Sequence, residues 1–549
     1  MARRQRRHVF STLLAACALA CGVSAVAFEP FADPVVRPGL LERLALQPSS
    51  EPDGEALPVP AAADERDSEE LPILAPDQPG NVRLGAGQPF DEGLRGFAEG
   101  DEPVLDPNQV GNLRTRLDAI ETKMTGYPIT RLSGFFQLDD GLYSQSQASR
   151  GRYGDMQDGV SFRRARLQAI GEVNEFTAYT IEFDFAQAGR PSFFDVWGEI
   201  DEIPWLGTVR IGQFRQPGLM DSWTSVRHLD FLERSAAAAV DPFRRIGIMS
   251  YSMTEDERTA WAASVYATGL TFFDGVNNYR TFGDNRGGAQ IGDNGGVSFA
   301  TRITHLAWYD EPSQGRYLLH VGTGFVYSGI GGEGSSLAQG KAFNPAMFPE
   351  FFVGDPTGNG LTAAGTPFVI NAGRILANDF CLYHLELAGN RGAFHFQSEA
   401  MLETVNQKSG PMMVLPTAYL QGGVFLTGET PGYLKQAGVF DYNVVPHTPF
   451  FGTGRRGKIR GWGAWEVTGR WTYVDMSLTN VNPANQIQNA PGPPPFPNYG
   501  VLNESTVGVN WWWNRNTRLQ FNWIHSMPNL LGYGMAPFDI YGTRFQVEF

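Results

Sequence analysis

The sequence predicts an all-β protein: a 16-stranded antiparallel transmembrane β-barrel that follows a disordered N-terminal spacer and a short helix. The first observation is the final run, residues 542–549, which alternates apolar and polar side chains and ends on Phe549. This pattern is typical of a barrel strand, because in lipid only a closed sheet pairs every backbone group. The second is that no run of 18 apolar residues follows the first 30 positions, which argues against a helical membrane protein. Taken alone, the final run would also fit the edge of a soluble sandwich.

Residues 1–27 are predicted to be an export signal. Four arginines at positions 3–7 precede an apolar stretch, and the Ala-Val-Ala run at 25–27 is a small-x-small cleavage site. The residues ending at Cys17 also resemble a lipobox, which would instead leave a lipidated cysteine at the new N-terminus. Cleavage after residue 27 leaves Cys381 as the only cysteine, so no intramolecular disulfide is expected.

Residues 28–109 are predicted to be a disordered periplasmic spacer, because they are rich in Pro, Ala and acids and lack apolar periodicity. This region carries most of the formal net charge of −15, since residues 28–110 hold 18 Asp and Glu against 5 Lys and Arg. In residues 110–125 the apolar positions follow the spacing of an a/d seam, which predicts a short coiled-coil-like helix. A single capped helix at the barrel mouth is the alternative.

The barrel itself is predicted for residues 128–549, where the apolar period changes to 2. We count 16 candidate strands, and single-chain bacterial barrels have an even number. The last is expected to pair with the first and close the sheet. The candidates are 131–143, 161–173, 176–186, 194–200, 207–215, 245–253, 259–268, 297–309, 317–327, 380–389, 392–401, 415–428, 461–475, 504–513, 517–526 and 542–549.

The connections alternate between short and long, as expected if the first strand rises from the periplasm. The short turns follow even-numbered strands, at 174–175, 310–316, 390–391 and 514–516. The long external loops follow odd-numbered strands, at 216–244, 269–296, 328–379 and 476–503. The connection at 429–460 breaks the rule, because a turn is expected there, and it is either an insertion or a miscounted strand pair.

Alternation also sorts each strand into a lipid face and a lumen face. Arg164 and Arg166 of the second strand are predicted to point inward, because an arginine facing lipid near the midplane costs about 2–4 kcal/mol. Residues 511–513, three consecutive tryptophans, lie where an aromatic girdle is expected. In the third strand the predicted lipid face is Tyr179, Ile181, Phe183 and Phe185, and the predicted lumen face is Thr180, Glu182 and Asp184.

Six stretches, in order along the chain, carry a family resemblance. They are VRIGQFRQP at 209–217, SVR and FLER at 225–227 and 231–234, FLTGE at 425–429, GAWEVTGR at 463–470, GVNW with Asn514 at 508–514, and RFQVEF at 544–549. Together they resemble the phosphate-selective porin O and P family of outer-membrane channels. The resemblance covers roughly residues 130–549. It implies a trimeric porin whose third external loop folds into the pore.

That third loop, predicted at 216–244, contains three arginines. An anion entering a narrow pore needs fixed positive groups, and arginine keeps its charge there. Asp230, Glu233 and Asp241 share the loop, so ion pairs that merely hold it in place are the alternative role for each arginine. The predicted pore-lining and anion-binding residues are Arg164, Arg166, Arg210, Arg227, Arg234, Arg244 and Arg302.

The predicted function is passive diffusion of small hydrophilic solutes, particularly anions such as phosphate. The chain has only five lysines, so the lysine-rich constriction that the resemblance implies for phosphate-specific members is not visible, and the choice of anion stays open. We expect a homotrimer in outer-membrane lipid, with small anionic solutes as ligands. The barrel assembly machinery is expected to recognise the strand ending at Phe549, and no nucleic-acid partner is expected.

Other chemistries have weaker support. No HxxxH spacing, Walker sequence or GxSxG elbow occurs, so we predict no metal, cofactor or catalytic residue and no enzyme activity. Residues 274–275 and 284–285 fit a Ca²⁺ site or tight turns equally. The alternative functions are a non-conducting structural barrel that anchors the envelope through the spacer and an outer-membrane hydrolase.

Overall fold

The computed structural model describes the predicted barrel region. It describes residues 128–186, 191–267, 297–329, 342–343, 346–353, 366–371, 374–442, 444–454, 457–459, 461–477, 480–487 and 499–549. The predicted signal, Cys17, the spacer, the coiled-coil-like helix and the two candidate Ca²⁺ positions lie outside these residues. In the described part of the chain, no helix is both long and apolar enough to cross a membrane.

Sixteen antiparallel strands form one closed barrel. Each strand pairs with its neighbours along the chain, and the last pairs with the first from Gln145↔Phe538 to Phe135↔Glu548. The predicted fold class, strand number and closing pair are therefore confirmed. The strands are β1 Ile129–Gln145, β2 Gly159–Asn174, β3 Thr177–Asp184, β4 Ser192–Ile203, β5 Gly207–Arg215, β6 Arg244–Met253, β7 Thr259–Ala267, β8 Val297–Tyr309, β9 Tyr317–Gly329, β10 Arg374–Arg391, β11 Phe394–Gln407, β12 Met413–Phe425, β13 Ala464–Met476, β14 Gly500–Asn514, β15 Thr517–Leu530 and β16 Phe538–Glu548.

Among the described residues, two short α-helices lie in the connections. Helix α1, Gln147–Tyr153, follows β1 and begins after Ser146, whose side chain accepts a hydrogen bond from the amide of Ser149. Helix α2, Met220–Trp223, lies in the connection between β5 and β6. We call that connection, residues 216–243, loop L3.

The two ends of the barrel differ in their connections. At one end, called here the turn end, residues 175–176, 392–393 and 515–516 join successive strands. The opposite end, called the loop end, carries L3 and the long β9–β10 connection, residues 330–373. This arrangement matches the predicted alternation of short and long connections.

The β12–β13 connection, residues 426–463, is a true insertion at the turn end, called here the inserted segment. It contains two hairpins, which form separate two-stranded sheets and do not join the barrel. The predicted numbers of strands before and after the inserted segment are therefore correct. The hairpins pair Gly432–Leu434 with Val439–Tyr442 and Gly452–Gly454 with Gly457–Ile459.

The faces of β3 follow the predicted alternation: Thr180, Glu182 and Asp184 are buried inside, whereas Ile181 is exposed on the outer surface. The same alternation places neighbouring members of the tryptophan triplet on opposite faces of the strand. Trp511 packs on the outside against Phe450 of the inserted segment, with ring centroids 4.6 Å apart. Trp512 points inward and contacts Phe425. The prediction that the whole triplet faces an outer girdle is therefore wrong for its middle member, because successive strand residues face opposite sides.

The interior of the barrel is filled. L3, part of the β9–β10 connection and the first hairpin of the inserted segment pack against inward-facing side chains. Within the described residues every strand contributes buried inward side chains. One such residue from each strand, in order, is Gln137, Arg164, Thr180, Glu199, Gln213, Met249, Ala262, Ala300, His320, His384, Glu399, Tyr419, Thr472, Thr506, Gln520 and Arg544.

Towards the loop end this filling is a hydrophobic core. The rule that inward residues are polar fails there, because L3 and the β9–β10 connection cover inward apolar side chains and exclude water from them. The core includes Leu219, Leu232, Ala236, Ala237, Ala238 and Val240 of L3, Met347, Phe351, Val369 and Ile370 of the β9–β10 connection, and Tyr266, Ala300, Val326, Leu382, Met401, Tyr419, Val474, Leu502, Ile524 and Ile540 of the strands.

Candidate functional site at the constriction

L3 crosses the interior from β5 to the far wall, where one carboxylate anchors it. Glu399 of β11 accepts hydrogen bonds from the amides of Met220 and Asp221, at 2.7 and 2.9 Å. These amides begin α2, whose first N–H groups have no partner within the helix. The hydroxyl of Tyr419 donates to the same carboxylate at 2.6 Å. A wall residue thus fixes the entry of L3 into the interior.

From α2 the loop runs along the wall towards β1, and wall side chains donate to its carbonyl oxygens. Because these acceptors are backbone groups, they hold the path of L3 without depending on its side chains. The donor and acceptor pairs are Gln137 to Val226 O at 3.0 Å, Gln546 to Arg227 O at 3.0 Å, Arg518 to Leu229 O at 3.0 Å, Asn510 to Asp230 O at 2.7 Å and Arg470 to Glu233 O at 3.0 Å.

Glu233 of L3 is the centre of the largest ion-pair cluster on this path. Its carboxylate lies 2.9 Å from Arg163, 2.8 Å from Arg164 and 3.0 Å from Arg544. Arg544 also makes a bidentate contact with Asp139, with both distances at 2.7 Å. Burial alone would raise the pKa of Glu233, but the three guanidinium groups hold it well below its usual value.

Four more predicted arginines have carboxylate partners. Arg166 lies 2.8 Å from Asp184, and Arg244 lies 2.7 Å from Asp195. Both also approach Glu182, at 3.6 and 3.7 Å, so these two arginines share one site. The other two lie elsewhere on the wall: Arg210 is 2.7 Å from Glu199, and Arg302 is 2.7 Å from Glu386.

The remaining two predicted arginines, both on L3, form no carboxylate ion pair in the described structure; they donate to neutral oxygens and lie over aromatic rings, Arg227 over Phe135 and Arg234 over Phe243. Arg227 donates to Gln168 Oε1 at 2.9 Å and more weakly to Ser133 Oγ. Arg234 donates to the carbonyl oxygens of Asp221 and Thr224, at 2.8 and 2.5 Å. All seven predicted arginines thus lie within the barrel or at its inner wall, and anion binding by them stays a prediction.

The inserted segment contributes to the same region from the turn end. Arg302 donates to Ala437 O at 2.5 Å and Gly438 O at 2.9 Å, both in the first hairpin. His228 of L3 lies 2.6 Å from Asp441 of the same hairpin. Burial would raise the pKa of Asp441, but His228 and neighbouring donors hold it below its usual value. L3 and the inserted segment therefore meet inside the barrel.

Several charged residues at this constriction were missed from the sequence. Arg470, Arg518 and Arg544 face inward on β13, β15 and β16. Strand alternation, applied to the last four strands as it was to β2, is the signal that would have found them. Glu233 and Glu386 could not be assigned in this way, because their arginine partners lie 69 and 84 residues away along the chain.

Two groups of potential metal ligands occur in the described residues: Asp230, His395 and Glu466, and His384, Glu386 and Glu399. In the first, His395 points Nε2 at Glu466, 2.5 Å away, and Nδ1 at Asp230, 3.8 Å away. The ring therefore bridges two carboxylates with opposite nitrogens, whereas a metal ion needs ligand atoms that converge on one point.

The sequence was compared with family models. The model for phosphate-selective porin O and P matches residues 131–348 and 354–549. The chain belongs to this family. As a porin it is an outer-membrane protein of Gram-negative bacteria, and its family and fold are those of a channel. No curated protein matches the sequence.

Solved porin structures resemble this porin at very low identity. The anion-selective porin from Comamonas acidovorans is 9% identical with a TM-score of 0.43, over 77% of this chain and 100% of that one. OmpT of Vibrio cholerae in its trimer form is 8% identical with a TM-score of 0.42, over 77% and 100%. The channel DcaP of Acinetobacter baumannii is 9% identical with a TM-score of 0.41, over 77% and 97%.

Proposed function

We propose that this porin gives small hydrophilic anions, phosphate among them, a narrow path of passive diffusion past L3. The observation that carries the proposal is L3 itself, which crosses the interior and brings Arg227 and Arg234 there with neutral partners. Fixed guanidinium groups attract anions and exclude cations at close range. The filled interior restricts the path to small solutes.

The test is the reversal potential of purified, full-length protein in a planar bilayer under a KCl gradient, followed by potassium phosphate. Wild type should favour anions. Replacing both Arg227 and Arg234 by Gln should lower the anion-to-cation permeability ratio, because these two L3 arginines form no carboxylate ion pair among the described residues. Arg391→Ala is the matched control, since Arg391 is exposed at the turn end. A permeability ratio that the double variant leaves unchanged would contradict the proposal.

The second candidate is a non-conducting structural barrel, and the filled interior favours it. It predicts no ion current from correctly folded protein. Folding is checked independently by the shift in electrophoretic mobility on heating. An ion current from correctly folded protein would exclude the structural barrel. The absence of an ion current from folded protein would exclude the diffusion pore.

We also propose the assembly that the family resemblance implies. The porin is exported through residues 1–27, keeps its N-terminal spacer in the periplasm and forms a homotrimer in outer-membrane lipid. Its last strand is recognised by the barrel assembly machinery. Phe549 O accepts a hydrogen bond from the amide of Gly134 at 2.8 Å, whereas the Phe549 ring is exposed. Deleting Phe549 should therefore impair assembly, and unchanged amounts of heat-modifiable barrel would contradict this role.

A further inference from the structure

We propose that the first hairpin, which pairs Gly432–Leu434 with Val439–Tyr442, is a movable gate at the turn end of the barrel, whereas L3 is the fixed part of the constriction. The two segments and the β14–β15 wall enclose a cavity of about 20 Å³, which has room for about one water molecule and for no solute. The inference rests on the proposed function, because a solute can diffuse past L3 only if a segment that fills the interior moves aside.

L3 is held to the wall by buried and charged contacts. Glu399 of β11 accepts hydrogen bonds from two L3 amides, and Glu233 of L3 contacts three arginines of β2 and β16. Five further wall side chains donate to carbonyl oxygens of L3. Moving L3 would separate Glu233 from its arginines, and breaking a buried ion pair is strongly unfavourable. L3 is therefore the less mobile of the two segments.

The first hairpin is held inside the barrel mainly by apolar contacts. Tyr433, Val439 and Phe440 are buried against Met220 of L3 and against one residue each of β8, β9 and β10. The wall residues are Leu306, Leu318 and Ala388. The ion pairs that Lys435 of this hairpin makes with the wall involve acids that are about half exposed to solvent. Because apolar contacts are non-directional, the hairpin can move without leaving a buried charge unpaired in the wall.

Near its tip the hairpin contacts three wall residues, Arg302, His320 and Glu386, called here the latch. Arg302 donates to two carbonyl oxygens of the tip, at 2.5 and 2.9 Å, and His320 Nδ1 lies 2.6 Å from the hydroxyl of Tyr433. Glu386 lies 2.7 Å from Arg302 and 3.0 Å from His320. When the tip leaves, Arg302 keeps its carboxylate partner. Opening therefore breaks only hydrogen bonds to neutral groups, which water can replace.

The base of the hairpin has its own contacts, and these define a pivot. Asn390 of the wall donates to Pro431 O at 3.1 Å. Asp441 accepts a hydrogen bond from the amide of Ser225 at 3.0 Å and lies 2.6 Å from His228, both in L3. These contacts lie at the ends of the hairpin, away from the tip. They stay in place while the tip swings away from the latch.

Single-channel recording of the full-length protein in a planar bilayer tests the gate. Wild type should step between a closed and an open level. Replacing residues 432–442 by two glycines should remove the closed level and raise the open conductance at least roughly twofold, because the hairpin no longer crosses the mouth. A folded deletion variant with the conductance and closures of wild type would overturn the proposal. A wild type with one steady open level would overturn it as well.

The second hairpin provides the matched control within the same inserted segment. Phe451 and Trp462, which flank it, are exposed, and Phe450 packs on the outer surface against Trp511. Replacing residues 452–460 by two glycines should therefore leave the conductance and closures of wild type. The heat-dependent shift in electrophoretic mobility checks the folding of both variants. Equal effects of the two deletions would contradict a specific role of the first hairpin.

A point variant tests the latch without removing the hairpin. Tyr433→Phe removes the hydroxyl that contacts His320 and keeps the ring in its apolar surroundings. Amide hydrogen exchange at Val439–Tyr442 should accelerate roughly two- to tenfold, whereas exchange at Ala236–Val240 of L3 should stay unchanged. Exchange that accelerates equally in both segments would contradict a hairpin that moves independently of L3.

Tyr251→Phe is the control for the loss of a buried hydroxyl. The Tyr251 hydroxyl donates to Glu199 of the wall at 2.7 Å. Exchange in the first hairpin should therefore match that of wild type. Faster hairpin exchange in Tyr251→Phe, to the same extent as in Tyr433→Phe, would remove His320 and Tyr433 from the latch.

The gate and the diffusion pore fail in different ways. A wild-type current that the deletion of 432–442 leaves unchanged overturns the gate and leaves the pore standing. A current from the deletion variant alone supports the hairpin as the closing element and excludes passive diffusion through the wild-type protein. No current from either folded protein excludes both.

Discussion

Two sets of arginines lie inside this barrel, and they differ in what they contact. Arg164 and Arg302 represent the first set, in which each guanidinium makes two hydrogen bonds to one buried carboxylate. Arg227 and Arg518 represent the second, in which the partners are amide and hydroxyl oxygens or a backbone carbonyl. In the first set, the positive charge of each arginine is paired with a carboxylate of the protein. The second has no hydrogen bond to a carboxylate among the described residues.

The difference shows that an inward arginine in a barrel has no fixed role. Removing one partner of a buried pair leaves an uncompensated charge, which is strongly destabilising. Removing an arginine that contacts only neutral groups leaves no such charge behind. The first set should therefore govern stability, and the second should govern the response to anions.

The largest effect is expected from Glu233→Gln, which deprives three arginines of one carboxylate. We expect a loss of about 3–5 kcal/mol in the free energy of unfolding, measured by urea titration in detergent at pH 7. Asp230→Asn is the matched control, because it removes a carboxylate of L3 that forms no arginine ion pair in the described structure. A loss for Asp230→Asn as large as that for Glu233→Gln would erase the distinction between the two sets.

Acid should reproduce part of the Glu233 effect. Because the folded pKa of Glu233 lies well below its usual value, its stabilisation is fully present above the unfolded pKa of about 4.3 and is lost as the pH falls through the folded pKa. Wild type should therefore lose more stability between pH 5 and 3 than Glu233→Gln does. The measurement is the unfolding midpoint of each protein as a function of pH between 5 and 3. If the two midpoints fall in parallel, the stabilising role assigned to ionised Glu233 is contradicted.

A smaller and more local effect is expected from Arg302→Met. It removes the partner of Glu386 and both hydrogen bonds to the first hairpin, so we expect about 2–4 kcal/mol of destabilisation and faster amide exchange at Val439–Tyr442. Arg210→Met is the control, since Arg210 pairs with Glu199 without contacting the hairpin. Equal exchange rates in the two variants would show that Arg302 does not hold the hairpin.

Arg518→Gln should change the free energy of unfolding by less than about 1 kcal/mol, because it leaves no carboxylate without an ion-pair partner. The same urea titration gives the value. A loss comparable to that of Glu233→Gln would place Arg518 in the first set.

The smallest effect is expected from Lys435→Gln. Lys435 lies 3.0 Å from Glu311 and 3.1 Å from Glu257, but both acids are about half exposed to solvent. Exposed pairs contribute about 0–1 kcal/mol, so the unfolding midpoint should stay close to that of wild type. A large loss would show that the inserted segment depends on this contact.

The sequence predicted much of the architecture because strand alternation and connection length are local properties. Predicted strands 207–215 and 297–309 coincide with β5 and β8. The remaining boundaries differ most in β10, which begins at Arg374 instead of 380, and in β11, which ends at Gln407 instead of 401. The inward direction of Arg164 and Arg166 followed from the cost of placing charge in lipid. None of these inferences required knowledge of distant contacts.

The contacts of the candidate site were harder to predict from the sequence. The third loop was located to within one residue, although Arg244 begins β6 instead of ending the loop. The contacts of the loop come from other strands and from the inserted segment. Asp441 meets His228 across 213 residues, and Glu233 meets Arg544 across 311. The first hairpin likewise contacts both L3 and the wall, through Asp441 and through the carbonyl oxygens of Ala437 and Gly438, and no local pattern places these together.

The sequence by itself determined the number of strands, their faces and the direction of the closing strand, because the period of 2 and membrane energetics act residue by residue. Only the tertiary structure decided what fills the interior. L3, the β9–β10 connection and the inserted segment fold back onto the wall, where burial of apolar surface and pairing of charges depend on contacts between distant residues. That packing determines which arginines pair with a carboxylate and which donate to neutral oxygens.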